Sequence, residues 1–137
     1  MKRETREWLN IAEEELRSGE YLFERGFYRM VCYHAQQAVE KALKALLVEK
    51  EVPPPRTHNI LDLCIALQEL ESAPPLSEEE SVFLTSVYRA RYPAGLGVLP
   101  SGEPSRGDAE KALQCASKVW HWIQETLGPL PPDSGRS

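Results

Sequence analysis

Apolar positions in this chain recur at helical spacing in five separate runs, and none alternates with period two for long enough to predict a strand. The first run, from about Glu4 to Arg25, repeats Leu9, Ala12, Leu16, Gly19 and Phe23 at 3-4-3-4 spacing. The second, from about Phe27 to Lys50, carries Val31, Ala35, Ala38, Ala42 and Ala45 on one stripe. Small side chains on that stripe let another helix backbone come close. Gly19 costs about 1 kcal/mol of helix propensity, yet it falls on the apolar stripe of the first run, so Gly19 and Ala12 are expected to face the alanine stripe. Gly26 marks the turn, and so short a link predicts an antiparallel hairpin of two long helices.

Val52-Pro53-Pro54-Pro55 stops the second helix. A third helix follows, capped by Thr57 or Asn59 and running to about Leu70, with Ile60, Leu63, Leu67 and Leu70 on its apolar face. Ala73-Pro74-Pro75 breaks it. Ser77 and Glu80 have the spacing of a capping box, which predicts a fourth helix ending at Arg91 or Tyr92, before Pro93. Its expected core stripe is Phe83, Val87 and Ala90, with Leu84, Tyr88 and Arg91 on another face. Pro93 to Gly107 is a Gly- and Pro-rich loop. Ser105 or Asp108 caps a fifth helix, about Ala109 to Leu127, with Ala112, Ala116, Val119 and Ile123 inward. Trp120 and Trp122 read as packing or interface residues and His121 as solvated. The expected fold is all-α: a five-helix up-and-down bundle built on a long helical hairpin. It forms one domain over residues 1–127, with a disordered tail at 128–137.

Composition narrows the function classes. The formal net charge is −5 over 137 residues, which argues against coating nucleic acid by bulk charge but leaves room for a local basic cleft. Met1 to Glu7 has no apolar stretch after it, and no run has membrane-spanning length. A cytoplasmic protein without membrane contact is expected. Cys32, Cys64 and Cys115 form no C-x-x-C pair and each sits among helical apolar residues. Buried reduced thiols are therefore expected, with neither a metal site nor a cofactor.

The candidate chemistry lies on the second helix. His34, Gln37, Lys41 and Lys44 share a stripe at the edge of the alanine face. An imidazole, an amide and two ammonium groups in a row can hydrogen-bond a nucleotide and meet its phosphate. Glu40 and Lys44 form an i,i+4 pair worth only about 0.2–0.5 kcal/mol. His58 stands at the third helix start, where a local hydrogen-bonding role competes with ligand contact. Arg91 offers a bidentate fork for phosphate and Tyr92 a stacking surface.

Four features together resemble the HEPN family, the higher eukaryote and prokaryote nucleotide-binding domain. They are Trp8-Leu9 with Ala12-Glu13 and Leu16, the stretch from Cys32 to Ala45, Thr57-His58-Asn59-Ile60-Leu61-Asp62-Leu63, and Arg91-Tyr92-Pro93. The resemblance covers most of residues 5 to 126 and implies a helical bundle that works as a homodimer and associates with nucleotides or RNA. Stand-alone prokaryotic members often accompany a minimal nucleotidyltransferase in a toxin–antitoxin-like pair. On this basis the expected function is a binding module for nucleotide, RNA or such a protein partner. The alternatives are a metal-independent ribonuclease and a purely structural dimerisation module. Family ribonucleases use an arginine and a histidine spaced R-x(4–6)-H. Here Arg89 and Arg91 are followed by Pro93-Ala94-Gly95-Leu96-Gly97, without histidine. Arg29 and His34 have the spacing but lie on the second helix, where five residues turn about 140° and separate the two side chains. No catalytic residue is assigned.

Overall fold

The computed structural model describes residues 1–89 and 103–130, and in these the chain forms five α-helices and no strand. They are α1 (Arg3–Phe23), α2 (Tyr28–Glu49), α3 (Ile60–Gln68), α4 (Glu78–Arg89) and α5 (Arg106–Leu127). The expected fourth-helix end at Arg91 or Tyr92, the stripe position Ala90, most of the 93–107 loop and the tail from 131 lie outside the described residues.

The hairpin is antiparallel, as the short link requires. Gly26 takes φ +79°, a left-handed conformation that favours glycine, and its N–H closes on the Phe23 carbonyl at 3.1 Å. At the far end, the Lys2 N–H and the Thr5 hydroxyl donate to Glu49 at 2.9 and 2.8 Å, joining the start of α1 to the end of α2. Every member of the alanine stripe is buried. A Cβ on Gly19 would stand 3.6 Å from the His34 Cβ and 3.1 Å from Leu113 Cδ2, so this glycine admits both α2 and α5.

The second helix is the centre of the bundle and touches all four others. Cover on so many sides buries α2 almost all round from Ala35 to Val48, Gln36, Gln37, Glu40 and Lys44 included. The polar row therefore lies largely inside the bundle rather than along the edge of an apolar face. The periodicity of one helix shows which residues share a side but not how many neighbours cover it.

Asn59 caps α3, accepting from the Asp62 N–H at 3.3 Å, and Ile60, Leu63 and Leu67 are fully covered. Ser77 and Glu80 form the expected reciprocal pair at 3.0 and 2.9 Å, and Ser105 and Asp108 another at 3.1 and 2.9 Å, which starts α5 at Arg106. The expected face of α4 is corrected. Leu84, Val87 and Tyr88 are buried with Ser81 and Thr85, while Phe83 is only half-buried. The Thr85 hydroxyl donates to the Ser81 carbonyl at 3.2 Å and accepts from the Ile60 N–H at 3.1 Å. Hydroxyls satisfied in this way sit inside the core, so a stripe drawn from apolar residues alone is rotated.

Candidate functional site

A carboxylate in the middle of α2 gathers the polar groups. Glu40 is fully buried, and its two oxygens face different partners. Oε1 stands 2.8 Å from His58 Nδ1 and accepts from the Gln36 and Gln37 amides at 3.3 and 3.5 Å. Oε2 accepts from the Lys44 ammonium at 2.9 Å and from Lys41 at 3.2 Å. Helical spacing supplies four of these groups, because Gln36, Gln37, Lys41 and Lys44 lie within one turn of Glu40. The fifth comes from the α2–α3 connection. There the Gln36 amide also donates to the His58 carbonyl at 2.8 Å, holding that backbone over α2.

Burial alone would raise the Glu40 pKa. The Lys44 and His58 hydrogen bonds and the charges of Lys41 and Lys44 outweigh it and leave the carboxyl below its ordinary value of 4.5. The stabilisation this lowered value represents is fully present above 4.5 and disappears as the pH falls through the lower folded-state value. Glu80, lowered mainly by its hydrogen bond from Lys118, adds loss in the same direction. The urea midpoint should hold from pH 7 to about pH 5 and fall steadily below that. A midpoint flat down to pH 3 would be incompatible with a Glu40 carboxyl held ionised by its neighbours.

The cluster reaches solvent at His58 and Lys41. The His58 side chain is 58% exposed and that of Lys41 20%, against 7% for Lys44. Aromatic rings pack against its members. His58 packs on Tyr88 at 5.2 Å between centroids, and Tyr88 stacks on Tyr33 at 5.8 Å with 20° between the planes. The Lys41 and Lys44 ammonium groups lie 5.7 and 6.0 Å from the Trp8 ring centroid.

Gln37, Lys41, Lys44 and His58 of the sequence-predicted set are thus brought together, while His34 is not among them. Its Nδ1 lies 2.9 Å from Glu15 Oε1 on α1, and it borders a separate hollow of about 480 Å³ with Arg17, Ser18, Tyr21 and Leu22. The Tyr33 ring, 5.1 Å from that of His34, stands between His34 and the rings beside Glu40. Arg91 and Tyr92 lie outside the described residues. Arg29 pairs with Glu103 ahead of α5 and His34 with Glu15, so the two point to different elements. Sequence reasoning passed over Glu40 as a hub. Donors three and four residues before it, and one and four after it, were the available signal. The aromatic pairing of Tyr33 with Tyr88 joins two helices far apart in sequence and left no signal.

Cys32, Cys64 and Cys115 are buried and unpaired. Burial, helped by Asp108, pushes the Cys32 thiol up to about 12; burial and Glu80 push Cys115 up to about 11. Protonated thiols of this kind are poor nucleophiles. Among the described residues no group of three or more His, Cys, Asp or Glu could hold a metal ion, and no helix is long and apolar enough to cross a membrane.

The HEPN domain model matches residues 5–126. The crystal structure of TT1696 from Thermus thermophilus is 30% identical and superposes with a TM-score of 0.70, covering 90% of this chain and 98% of that one. ST0689, an archaeal HEPN homologue, is 26% identical with a TM-score of 0.68, over 93% and 99% of the two chains. An HEPN domain protein from Thermotoga maritima, TM0613, is 28% identical with a TM-score of 0.63, over 88% and 97%. No curated protein matches the chain.

Proposed function

The chain belongs to the HEPN domain family, and on that premise we propose that it is a nucleotide- or RNA-binding helical module whose ligand meets the cluster around Glu40. One observation carries this reading. Among the described residues, one carboxylate, Glu40, accepts from two ammonium groups and contacts an imidazole, so positive groups outnumber it locally in a chain of net charge −5. The Lys41 ammonium is partly exposed beside the Trp8 ring, and on the other oxygen of Glu40 the exposed His58 ring packs on Tyr88. A cationic group next to aromatic faces matches a phosphate attached to a base. Lys41 and His58 are the contacts, and Lys44 and Gln37 support them from within. Arg91 and Tyr92 are candidates for the same surface on sequence grounds, and His34 for a neighbouring one.

The family premise further supports a single domain over residues 1–127 that acts as a homodimer. It also supports a minimal nucleotidyltransferase as protein partner in a toxin–antitoxin-like pair, and a cytoplasmic setting. The ribonuclease alternative finds no favouring geometry in Arg29 and His34, which have different partners.

Fluorescence polarisation with a short labelled RNA and with mononucleotides tests the reading. The wild type should bind, and Lys41→Ala should weaken binding about tenfold, with a lower melting temperature but a folded protein at the assay temperature, since Lys44 and His58 still face Glu40. The slope of log affinity against log salt should fall by about 0.7 for the lost single-strand phosphate contact. No binding by the wild type, or equal binding by Lys41→Ala, would sink the proposal.

A further inference from the structure

The Glu40–His58 pair contains more order than charge balance alone requires. Replacing a buried ion cluster by apolar residues often leaves a fold as stable as before, so stability alone does not account for this carboxylate. Its two oxygens divide the partners, with the ammonium groups on Oε2 and the imidazole on Oε1. An ionised carboxylate can only accept hydrogen bonds. The 2.8 Å contact therefore places the proton on His58 Nδ1 and, in the neutral ring, leaves Nε2 as a lone-pair acceptor. The ring is held from two further directions. Tyr88 packs against it at 5.2 Å, and the Gln36 amide fixes the His58 carbonyl at 2.8 Å. More than half of the His58 side chain is exposed, and its ring and the partly exposed Lys41 ammonium are held by the two oxygens of the same carboxylate.

An acceptor and a cation held by one carboxylate complement a donor and an anion on one ligand. In a nucleic acid strand that pair is a 2′-hydroxyl and its neighbouring phosphate, and only the ribose form has the hydroxyl. We infer that Glu40 is a positioning residue that fixes His58 in the Nδ1–H tautomer, and that His58 Nε2 selects ribonucleotides over 2′-deoxyribonucleotides by accepting from the 2′-hydroxyl while Lys41 meets the phosphate. This inference rests on the nucleotide-binding reading for its ligand, but not for the state of the imidazole.

The experiment has two arms. Nitrogen-15 NMR of the imidazole in the unliganded wild type, at mildly alkaline pH, should show His58 as the Nδ1–H tautomer. A dominant Nε2–H tautomer would overturn the positioning role. The second arm compares a short RNA with the DNA of the same sequence. The wild type should prefer RNA by about tenfold, the worth of one well-made hydrogen bond. His58→Ala, a change at an exposed side chain that should leave the fold intact, should bring the two affinities within about twofold of each other. Equal affinities in the wild type, or an undiminished RNA preference in His58→Ala, would overturn the selectivity. If neither strand binds, the binding reading fails and takes the selectivity with it, while the tautomer still decides the role of Glu40.

Discussion

Glu40→Ala should destabilise the protein by about 3–5 kcal/mol, the usual cost of removing one member of a buried charge pair. The carboxylate is fully covered, and five side chains on α2 and the α2–α3 connection donate to it or pair with it. Without it, Lys44, whose side chain is 7% exposed, keeps its charge inside the bundle with no carboxylate to face. The Gln36 amide retains the His58 carbonyl, but the Gln37 amide loses one of its two acceptors. Urea denaturation measures the loss. Replacing the ion pair as a whole, with Glu40→Leu and Lys44→Met together, should recover part of the stability, because Lys44 then no longer leaves an unpaired charge inside the bundle. The same double variant should bind RNA poorly, since Lys41 and His58 lose the group that orients them. A double variant as unstable as Glu40→Ala would show that the network braces the fold in a way apolar packing cannot replace.

Leu63→Ala should cost about 2–5 kcal/mol, the range for deleting a buried leucine. Leu63 is fully covered in α3, a helix of nine residues held by Ile60, Leu63 and Leu67. So short a helix has little stability of its own and depends on packing. The cavity would open between α3 and the helices it touches, α2 and α4. The same packing holds the chain just before α3, where His58 reaches Glu40. RNA affinity should therefore fall although Leu63 contacts no ligand. A loss of less than 1 kcal/mol in urea denaturation would mean that α3 is anchored by other contacts.

The two long helices and α5 were legible in the sequence because 3-4 spacing of apolar residues is a one-dimensional property. Val31, Ala35, Ala38, Ala42 and Ala45 all lie in the core. So was the capping box at Ser77, where the hydroxyl and an acid three residues on each accept from the other residue's backbone N–H; at the fifth helix Ser105 and Asp108 were both read as caps, and the two act together. The inward face of α4 was not, because Ser81 and Thr85 read as polar until their hydroxyl partners are known. Glu40 shows the same limit more strongly. At i,i+4 from Lys44 it has the spacing of a weak surface pair. It becomes a hub only because α2 is covered by four helices and because His58, 18 residues on, comes back over it. His34 shared a stripe with Gln37, Lys41 and Lys44, yet Glu15 on α1 draws it to a different neighbourhood. In each case the decisive partner came from another element.

The proposed function depends on the surface above Glu40 receiving a ligand. Titrating a short RNA into isotope-labelled protein and following NMR shifts tests this without altering any residue. The largest shifts should fall on the His58 ring, the Lys41 side chain and the Tyr88 ring, and they should saturate together. Shifts centred instead on the hollow beside His34 and Tyr21, or none at saturating RNA, would refute it.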